Sequence, residues 1–189
     1  MQKHLLKTIE EIKGGNKAAF SSLIEAFQQK AFGLAYKILG DEEEAKDVVQ
    51  DSFIRMWEKI NTYNPNEKFT NWMYKIVSNR AIDRFRAVKR RPSVAFSDQV
   101  MARLQEETAL NDTLLENKEL GEMIILLTGE LPLKQKLVFT LRDLQGLSAG
   151  EVKAVTGLSE THIKSNLHHA RKSIRQKLIT ILGYENILR

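Results

Sequence analysis

Apolar residues recur three and four positions apart along most of the chain, and no segment alternates strictly between apolar and polar residues. The first spacing is typical of helices with one buried face, whereas strict alternation would predict a half-buried strand. Glycine and proline, which interrupt helices, are few, at 10 and 3 residues. The pattern therefore predicts an all-α protein.

Four helices are predicted in the first half of the chain, separated by glycines or by a polar loop. The third begins at Asp41, whose spacing to Glu44 is that of a capping box. The fourth ends before Pro92, because the residue that precedes a proline disfavours helical dihedrals. The predicted helices cover about residues 2–13, 20–39, 41–60 and 69–90, and the loop covers residues 61–68.

The second half contains the most specific local pattern. Ser148 and Glu151 have the spacing of another capping box, at the start of a short helix. Gly157 follows as a turn position where a left-handed backbone costs least, and Ser159 can cap a longer helix. Short helix, glycine turn and capped longer helix are the parts of a helix-turn-helix. Two further helices, at about residues 113–127 and 133–144, are predicted before it.

The last long helix has a polar face opposite its apolar one. Its side chains suit the base edges and phosphates of a DNA major groove. A helical hairpin with a solvated basic face is the structural alternative. The face consists of Thr161, His162, Lys164, Ser165, His168, Arg171 and Lys172.

The fourth helix interleaves aromatic and basic residues. This pattern suits single-stranded nucleic acid, because unpaired bases stack on rings while guanidinium groups follow the phosphates. Asn79 and Asp83 could add hydrogen bonds to base edges. The alternative is an amphipathic core helix with buried rings and a solvated basic surface. The basic residues are Lys75, Arg80, Arg84, Arg86, Lys89, Arg90 and Arg91.

The third helix carries Asp47, Gln50, Asp51 and Arg55 on one side, at spacings of three and four. Carboxylates four residues apart can share a metal ion, but no histidine or matching carboxylates on a partner helix complete such a site. A solvated face or a protein-docking surface is the better interpretation. The chain also lacks a glycine-rich phosphate loop, a nucleophile elbow and a pair of catalytic carboxylates, so no catalytic residue, cofactor or metal is expected.

Charge divides the chain into three parts. Residues 1–91 carry +5, residues 92–130 carry −6 and residues 131–189 carry +6, which leaves +5 for the whole. Two basic modules joined by an acidic segment predict two contacts with a polyanion. The chain has no cysteine, which excludes disulfides and thiolate zinc sites and fits the reducing cytoplasm where we expect the protein. No apolar run is long enough to span a membrane, so no membrane insertion is expected.

Four segments, taken in order, resemble bacterial sigma factors of the extracytoplasmic-function (ECF) group. Residues 41–60 resemble the helix that docks on the clamp coiled coil of RNA polymerase, and residues 69–91 the helix that recognises and melts the −10 element. Residues 131–159 and 160–178 resemble the −35-binding domain. The resemblance implies two helical domains, residues 1–91 and residues 113–189, joined by an acidic linker at residues 92–112, with a helix-turn-helix in the second.

The resemblance also implies a role for individual residues. The docking pattern falls on Asp47, Gln50, Asp51, Arg55, Met56 and Trp57. The −10 pattern falls on Asn61, Lys75, Asn79, Arg80, Asp83, Arg84 and Arg86, beside a loop at 61–68 that would hold a flipped base. The −35 pattern falls on Ser159, Thr161, His162, Lys164, Ser165, His168, Arg171 and Lys172.

The expected function is transcription initiation without enzymatic activity. The chain would bind core RNA polymerase at its clamp coiled coil and flap, direct it to promoter DNA and assist melting, under restraint by an anti-sigma factor. The acidic linker would thread toward the polymerase active centre. A stand-alone helix-turn-helix regulator is the alternative, although it leaves Asp47, Gln50 and Asp51 unexplained. A helical carboxylate–metal enzyme is a more distant one.

Three positions depart from the family pattern. Lys153 lies four residues before Gly157, where a small residue usually faces the second helix. Its stem must extend toward solvent, or the two helices must separate slightly. Asn166 and His169 replace positions that are often arginine, which would weaken the attraction to phosphate.

Overall fold

The computed structural model describes residues 2–89 and 117–182, and within these ranges it contains helices and turns but no strand. The first range holds α1 (Gln2–Lys13), α2 (Lys17–Leu39), α3 (Glu42–Lys59), a 3-10 turn (Ile60–Thr62) and α4 (Phe69–Lys89). The second holds α5 (Asn117–Gly129), α6 (Leu133–Phe139), a π-helical turn (Thr140–Leu144), α7 (Ala149–Thr156) and α8 (Glu160–Leu182). The linker predicted at residues 92–112 lies outside the described residues.

The first domain is a bundle in which α2, α3 and α4 pack against one another and α1 packs on α2. Its core includes Leu34 and Ile38 from α2, Met56 from α3 and Val77 from α4, none of which is exposed. The periodicity of the apolar residues predicted these buried faces, because positions three and four apart share one side of a helix.

Local signals fix the helix ends in this domain. The carboxylate of Asp41 accepts a hydrogen bond from the backbone N–H of Glu44 at 2.9 Å and so caps α3. Gly40 ends α2 in the left-handed conformation, at φ 73°, and its N–H donates to the carbonyl of Tyr36. The predicted break between α2 and α3 is therefore confirmed at the residue level.

The second domain packs α6 against α8, with α5 and α7 on either side. The helix predicted at residues 133–144 is α-helical only to Phe139 and continues as the π turn. The N–H of Gln145 reaches back five residues to the carbonyl of Thr140 at 2.9 Å. Apolar spacing could not predict this change, because one π turn shifts the following side chains by a single position.

The helix-turn-helix has the predicted construction. Ser148 and Glu151 form the capping box at the start of α7, and Gly157 makes the turn at φ 72°. α8 then buries Ile163, Leu167, Ala170 and Ile174, so its opposite face points toward solvent.

The two domains lie against each other. α4 contacts α7, and α2 contacts α5, α6 and the π turn. The side-chain contacts between them include an ion pair of Lys68 with Glu151 at 2.7 Å and a hydrogen bond between the Tyr74 hydroxyl and the side-chain oxygen of Gln145 at 3.1 Å. Buried Lys136 also donates to a carbonyl of α2.

Candidate functional site

The outward face of α3 is the first candidate surface. Asp47, Gln50, Asp51 and Arg55 are all exposed, as their spacing predicted. Ile54 lies among them with 59% of its surface exposed, which makes it one of two large apolar residues so placed in the described part of the chain. A polar rim around one exposed apolar side chain is the composition of a small protein interface.

Two residues predicted for docking lie elsewhere. Met56 is fully buried in the core of the first domain and cannot contact a partner, so its assignment to the docking surface is wrong. It occupies the apolar side of α3, one of the positions that hold α3 to its neighbours. Trp57 is half-buried, and its ring meets that of Phe20 at a centroid distance of 5.0 Å.

A cleft of about 350 Å³ separates the docking face of α3 from α4. Asp47 and Asp51 line one side, and Arg80, Asp83 and Arg84 line the other. The sequence placed these residues in two different sets, whereas the structure brings them to one place. In the described ranges, no three histidine or acidic side chains are arranged to hold a metal ion.

Arg84 crosses this cleft. Its guanidinium forms a two-pronged ion pair with Glu44 at the start of α3, in which Nη2 donates to Oε1 at 2.8 Å and Nε donates to Oε2. The hydrogen bonds to Glu44 raise the pKa of Arg84 above its ordinary value, and the nearby charges of Asp47 and Asp51 add to this shift. Sequence reasoning missed Glu44 as a partner, because 40 residues separate the two.

The remaining −10 residues lie on an accessible side of α4 and of the turn before it. Lys75, Asn79, Asp83 and Arg86 are exposed, and Arg80 is half-buried. Asn61 is exposed on the 3-10 turn. Basic and amide side chains are thus displayed together, as the interleaved pattern predicted.

The aromatic residues of this region serve mostly as structure. Tyr63 and Phe69 are buried, and the half-buried ring of Trp72 meets both at centroid distances of 5.5 and 5.7 Å. The Tyr63 hydroxyl donates to the carbonyl of Glu67 at 2.6 Å and braces the loop at 61–68. Burial also raises the pKa of Tyr63. The core interpretation therefore holds for the ring cluster, and Trp72 alone of these three retains partial exposure.

The outward face of α8 is the third candidate surface. Ser159, Thr161, His162, Lys164, Ser165, His168, Arg171 and Lys172 are all exposed. Ser159 caps the helix by accepting from the backbone N–H of His162 at 3.3 Å, and its hydroxyl also lies 2.9 Å from Nδ1 of that histidine. Asn166 donates to the carbonyl of His162 at 2.8 Å, so its amide is turned toward the helix.

The structure shows how the chain accommodates Lys153, which departs from the family pattern. Its side chain is 59% exposed, and its ammonium lies 4.0 Å from the carboxylate of Glu160 across the turn. The lysine therefore extends toward solvent, which was the first of the two predicted solutions.

Comparison with known proteins agrees with this architecture. The family "Sigma-70 region 2" matches residues 23–91, and "Sigma-70, region 4" matches residues 121–174. The chain belongs to the ECF sigma factors. Like the other members of this family, it directs RNA polymerase to promoters and is not an enzyme. The stand-alone regulator and the metal enzyme are therefore set aside.

The chain is similar to known ECF sigma factors over nearly their whole length. It is 27% identical to the ECF sigma factor SigW of Bacillus subtilis, over 94% of this chain and 98% of that protein. It is also 27% identical to the ECF sigma-E factor of Escherichia coli K12, over 90% and 92% of the two chains.

Two solved structures have the same fold. CnrH, in complex with the cytosolic domain of CnrY, aligns with a TM-score of 0.65 at 22% identity, over 92% of this chain and 96% of that one. The sigma factor RpoE of Bartonella quintana, in complex with the anti-sigma factor NepR, aligns with a TM-score of 0.63 at 16% identity, over 88% and 98%. None of the described helices of the sigma factor is long and apolar enough to cross a membrane.

Proposed function

We propose that this ECF sigma factor divides its tasks among three helices: α3 docks on core RNA polymerase, α4 with the loop before it captures the −10 element, and α8 reads the −35 element. One observation carries this proposal. Apart from Met56, most of the residues predicted for docking, for −10 binding and for −35 binding lie on the exposed side of their own helix. Separate surfaces allow the factor to bind polymerase and DNA at the same time.

The docking surface is the exposed face of α3. Asp47, Gln50, Asp51 and Arg55 supply polar contacts to the clamp coiled coil, and Ile54 supplies an apolar centre. An exposed pair of aspartates suits a basic partner helix, and charge complementarity of this kind raises the association rate and selects the partner. Trp57 supports the surface from below rather than forming it.

The −10 surface consists of Asn61, Lys75, Asn79, Arg80, Asp83 and Arg86. Unstacking a base costs a few kcal/mol, which is offset when the base is held by hydrogen bonds and stacking. The loop braced by Tyr63 supplies the rigid wall for a flipped base. Arg84 acts from inside the cleft, since its guanidinium is already paired with Glu44.

The −35 surface is the outward face of α8 in a major groove. Thr161, His162, Lys164, Ser165 and His168 are placed toward base edges, and Arg171 and Lys172 toward phosphates. The C-terminal domain, which we assign to residues 113–189, also docks on the polymerase flap. We assign the N-terminal domain to residues 1–91. The acidic linker, residues 92–112, follows a basic channel of the polymerase.

An anti-sigma protein restrains the factor. CnrH and RpoE, which share its fold, were both solved in complex with a protein partner, and for RpoE this partner is the anti-sigma factor NepR. We extend this kind of regulation to the present chain.

The experiment is a pull-down with purified core polymerase, followed by run-off transcription on promoter DNA. The wild-type factor should bind, and Asp51→Arg should reduce binding at least tenfold, because it places a positive charge against a basic partner. Glu25→Arg, an exposed acid on α2, is the matched control and should bind normally. Equal binding by Asp51→Arg and wild type would remove α3 as the docking helix.

A further inference from the structure

The start of α8 contains a side-chain contact that capping alone does not explain. Ser159 accepts a hydrogen bond from the backbone N–H of His162 at 3.3 Å, and this bond is enough to cap the helix. The same hydroxyl oxygen lies 2.9 Å from Nδ1 of the His162 ring. The serine therefore holds the side chain of the histidine as well as its backbone.

The two contacts together favour one tautomer of the ring. A hydroxyl group has one hydrogen to donate and two lone pairs that accept. When Ser159 accepts from the backbone N–H and donates to Nδ1, both of its hydrogen-bonding functions are used. The opposite tautomer, with its hydrogen on Nδ1, leaves the hydroxyl hydrogen of Ser159 without an acceptor in residues 2–89 and 117–182. A neutral ring whose Nδ1 accepts carries its hydrogen on Nε2.

His162 stands where a recognition helix reads bases. It is exposed in the first turn of α8, and residues at the N-terminal end of such a helix contact base edges. Asn166, one turn further along, donates its side-chain amide to the carbonyl of His162 at 2.8 Å. Within the described ranges no side chain hydrogen-bonds Nε2 of His162. The ring therefore presents a donor at the start of the DNA-facing surface.

A donor at Nε2 discriminates among the four bases in a major groove. Guanine presents two adjacent acceptors, N7 and O6. Adenine places the N6 donor beside its N7, cytosine presents the N4 donor, and thymine places a methyl group beside its O4. Guanine is therefore the base that receives an N–H group without opposing it by another donor or by a methyl group.

We propose that Ser159 fixes His162 as the Nε2–H tautomer and that His162 thereby reads a guanine of the −35 element through N7 and O6. The role of His162 rests on the proposed function of α8, to which it adds one base and the atoms that recognise it. Ser159 is a positioning residue because it acts through the ring, whereas the tautomer itself is a property of the free protein.

The tautomer is measured in the free, full-length factor labelled with nitrogen-15. Long-range correlation of ring protons with ring nitrogens shows which nitrogen carries hydrogen, at a pH where imidazoles are neutral. The chain has four histidines, and the signals lost in His162→Ala assign this one. Wild type should carry the hydrogen on Nε2. Ser159→Gly removes the hydroxyl at little cost to the cap and should give a mixture of both tautomers. A wild-type ring with its hydrogen on Nδ1 would overturn the proposal.

The base is identified with holoenzyme assembled from the full-length factor and core polymerase. Run-off transcription selects templates from a promoter library in which the −35 region is randomised. Wild type should select guanine at one position, and His162→Ala should reduce that preference about fivefold or more, since a wrong base pair costs at least this much. His169→Ala removes an exposed histidine two turns further along α8 and should leave guanine preferred at this position. Guanine selected equally by His162→Ala and wild type would contradict the contact.

7-Deazaguanine at the selected position tests the contacting atoms. It replaces N7 by a C–H group and keeps Watson–Crick pairing, so it removes one acceptor from the major groove. We expect about a threefold loss of affinity for wild type and no loss for His162→Ala. An equal response of the two proteins would overturn the proposal.

Two substitutions of Ser159 separate positioning from capping. Ser159→Gly should weaken the preference for guanine, because its ring is no longer held as one tautomer. Ser159→Asn should restore both the Nε2–H tautomer and the preference, because an asparagine caps with its carbonyl oxygen and has an amide that donates to Nδ1. A preference for guanine that does not follow the tautomer across these variants would exclude Ser159 as the positioning residue.

Failure of the proposed function gives a different result. In that case no variant of α8, Lys172→Ala included, changes the affinity for −35 DNA, while the tautomer of the free factor stays on Nε2. If Lys172→Ala weakens −35 binding but His162→Ala keeps the full preference for guanine, the assignment of His162 fails and α8 remains the helix that reads the −35 element.

Discussion

Arg171 on α8 forms a two-pronged ion pair with Asp143 in the π turn, through hydrogen bonds of 2.8 and 2.7 Å from Nε and Nη2. The hydrogen bonds to Asp143 hold the pKa of Arg171 above its ordinary value. Lys172, the next residue, has no ion pair with any side chain in residues 2–89 or 117–182. Arg171 and Lys172, for which the sequence pattern predicts the same role, are therefore in different electrostatic states.

This difference predicts different salt responses for −35 DNA. Lys172→Ala should lower the slope of log affinity against log salt by about 0.9, since one phosphate contact is lost. Arg171→Ala should lower the slope by less than half of that, because Asp143 already neutralises the arginine, and it should cost about 0.5–1 kcal/mol of stability. Fluorescence anisotropy at several salt concentrations and urea unfolding measure the two effects. Equal slope losses would show that Arg171 leaves Asp143 for the DNA.

The sequence predicted the elements of the fold well, because their signals are local. Asp41, Ser148 and Gly157 each act within four residues, through a cap or a left-handed turn, and the structure shows all three. Apolar spacing likewise identified the buried side of each long helix. It could not show that Met56 is too deep to reach a partner, because the core and docking faces of α3 adjoin.

The pairs that organise the candidate surfaces could not be predicted in this way. Glu44 and Arg84 lie 40 residues apart, and Asp143 and Arg171 lie 28 apart. Each pair forms only after separate helices pack, so no local spacing identifies it. The same holds for Lys136, because nothing in the pattern of α6 indicates that its ammonium donates to the carbonyl of Ile38 in the other domain.

The pair of Glu44 and Arg84 predicts a link between the −10 helix and polymerase docking. Glu44→Ala releases Arg84, which then turns toward Asp47 and Asp51 and neutralises the acids proposed to dock. We expect the affinity for core polymerase to fall about three- to tenfold, by the magnitude of one lost charge interaction. Titration of labelled factor with core polymerase measures this change.

Glu43→Ala is the matched control for that titration. Glu43 is exposed one residue away and pairs with Lys46 on its own helix at 2.8 Å. Its loss leaves Arg84 in place, so binding should stay near wild type. A Glu44→Ala factor that binds as tightly as Glu43→Ala would show that Arg84 does not compete for the docking acids.

Glu151 predicts a weakening of the domain contact in acid. Hydrogen bonds from Lys68, and then from Ser148, lower the pKa of Glu151 from 4.5 to about 2. A carboxyl group with a lowered pKa stabilises the folded protein with its domains in contact fully above about pH 4.5, and this contribution is lost as the pH falls toward 2. Energy transfer between dyes attached at Gln28→Cys on α2 and Gln176→Cys on α8, two exposed positions in a chain without other cysteines, should therefore decrease from pH 6 to pH 3 in the otherwise unchanged factor.

Glu151→Gln tests the assignment of that pH dependence. The amide does not titrate in this range, so the part of the pH dependence due to this site should disappear, and transfer at pH 6 should already be reduced. Lys68→Ala should flatten the same part of the curve, because it removes the main cause of the lowered pKa. A full acid transition in both variants would assign it to other carboxylates.

Gly157 and Gly150 predict opposite effects of the same substitution on the helix-turn-helix. Gly157 has a left-handed φ of 72°, whereas Gly150 lies inside α7, and an added methyl group would meet no atom within 4 Å at either site. Gly157→Ala should cost about 1–2 kcal/mol from backbone strain alone, and Gly150→Ala should gain about 0.5–1 kcal/mol from helix propensity. Because the turn sets the angle between α7 and α8, Gly157→Ala should also weaken −35 binding, while Gly150→Ala leaves it unchanged. Urea unfolding with DNA titration separates the two effects, and a Gly157→Ala protein as stable as Gly150→Ala would contradict the left-handed turn.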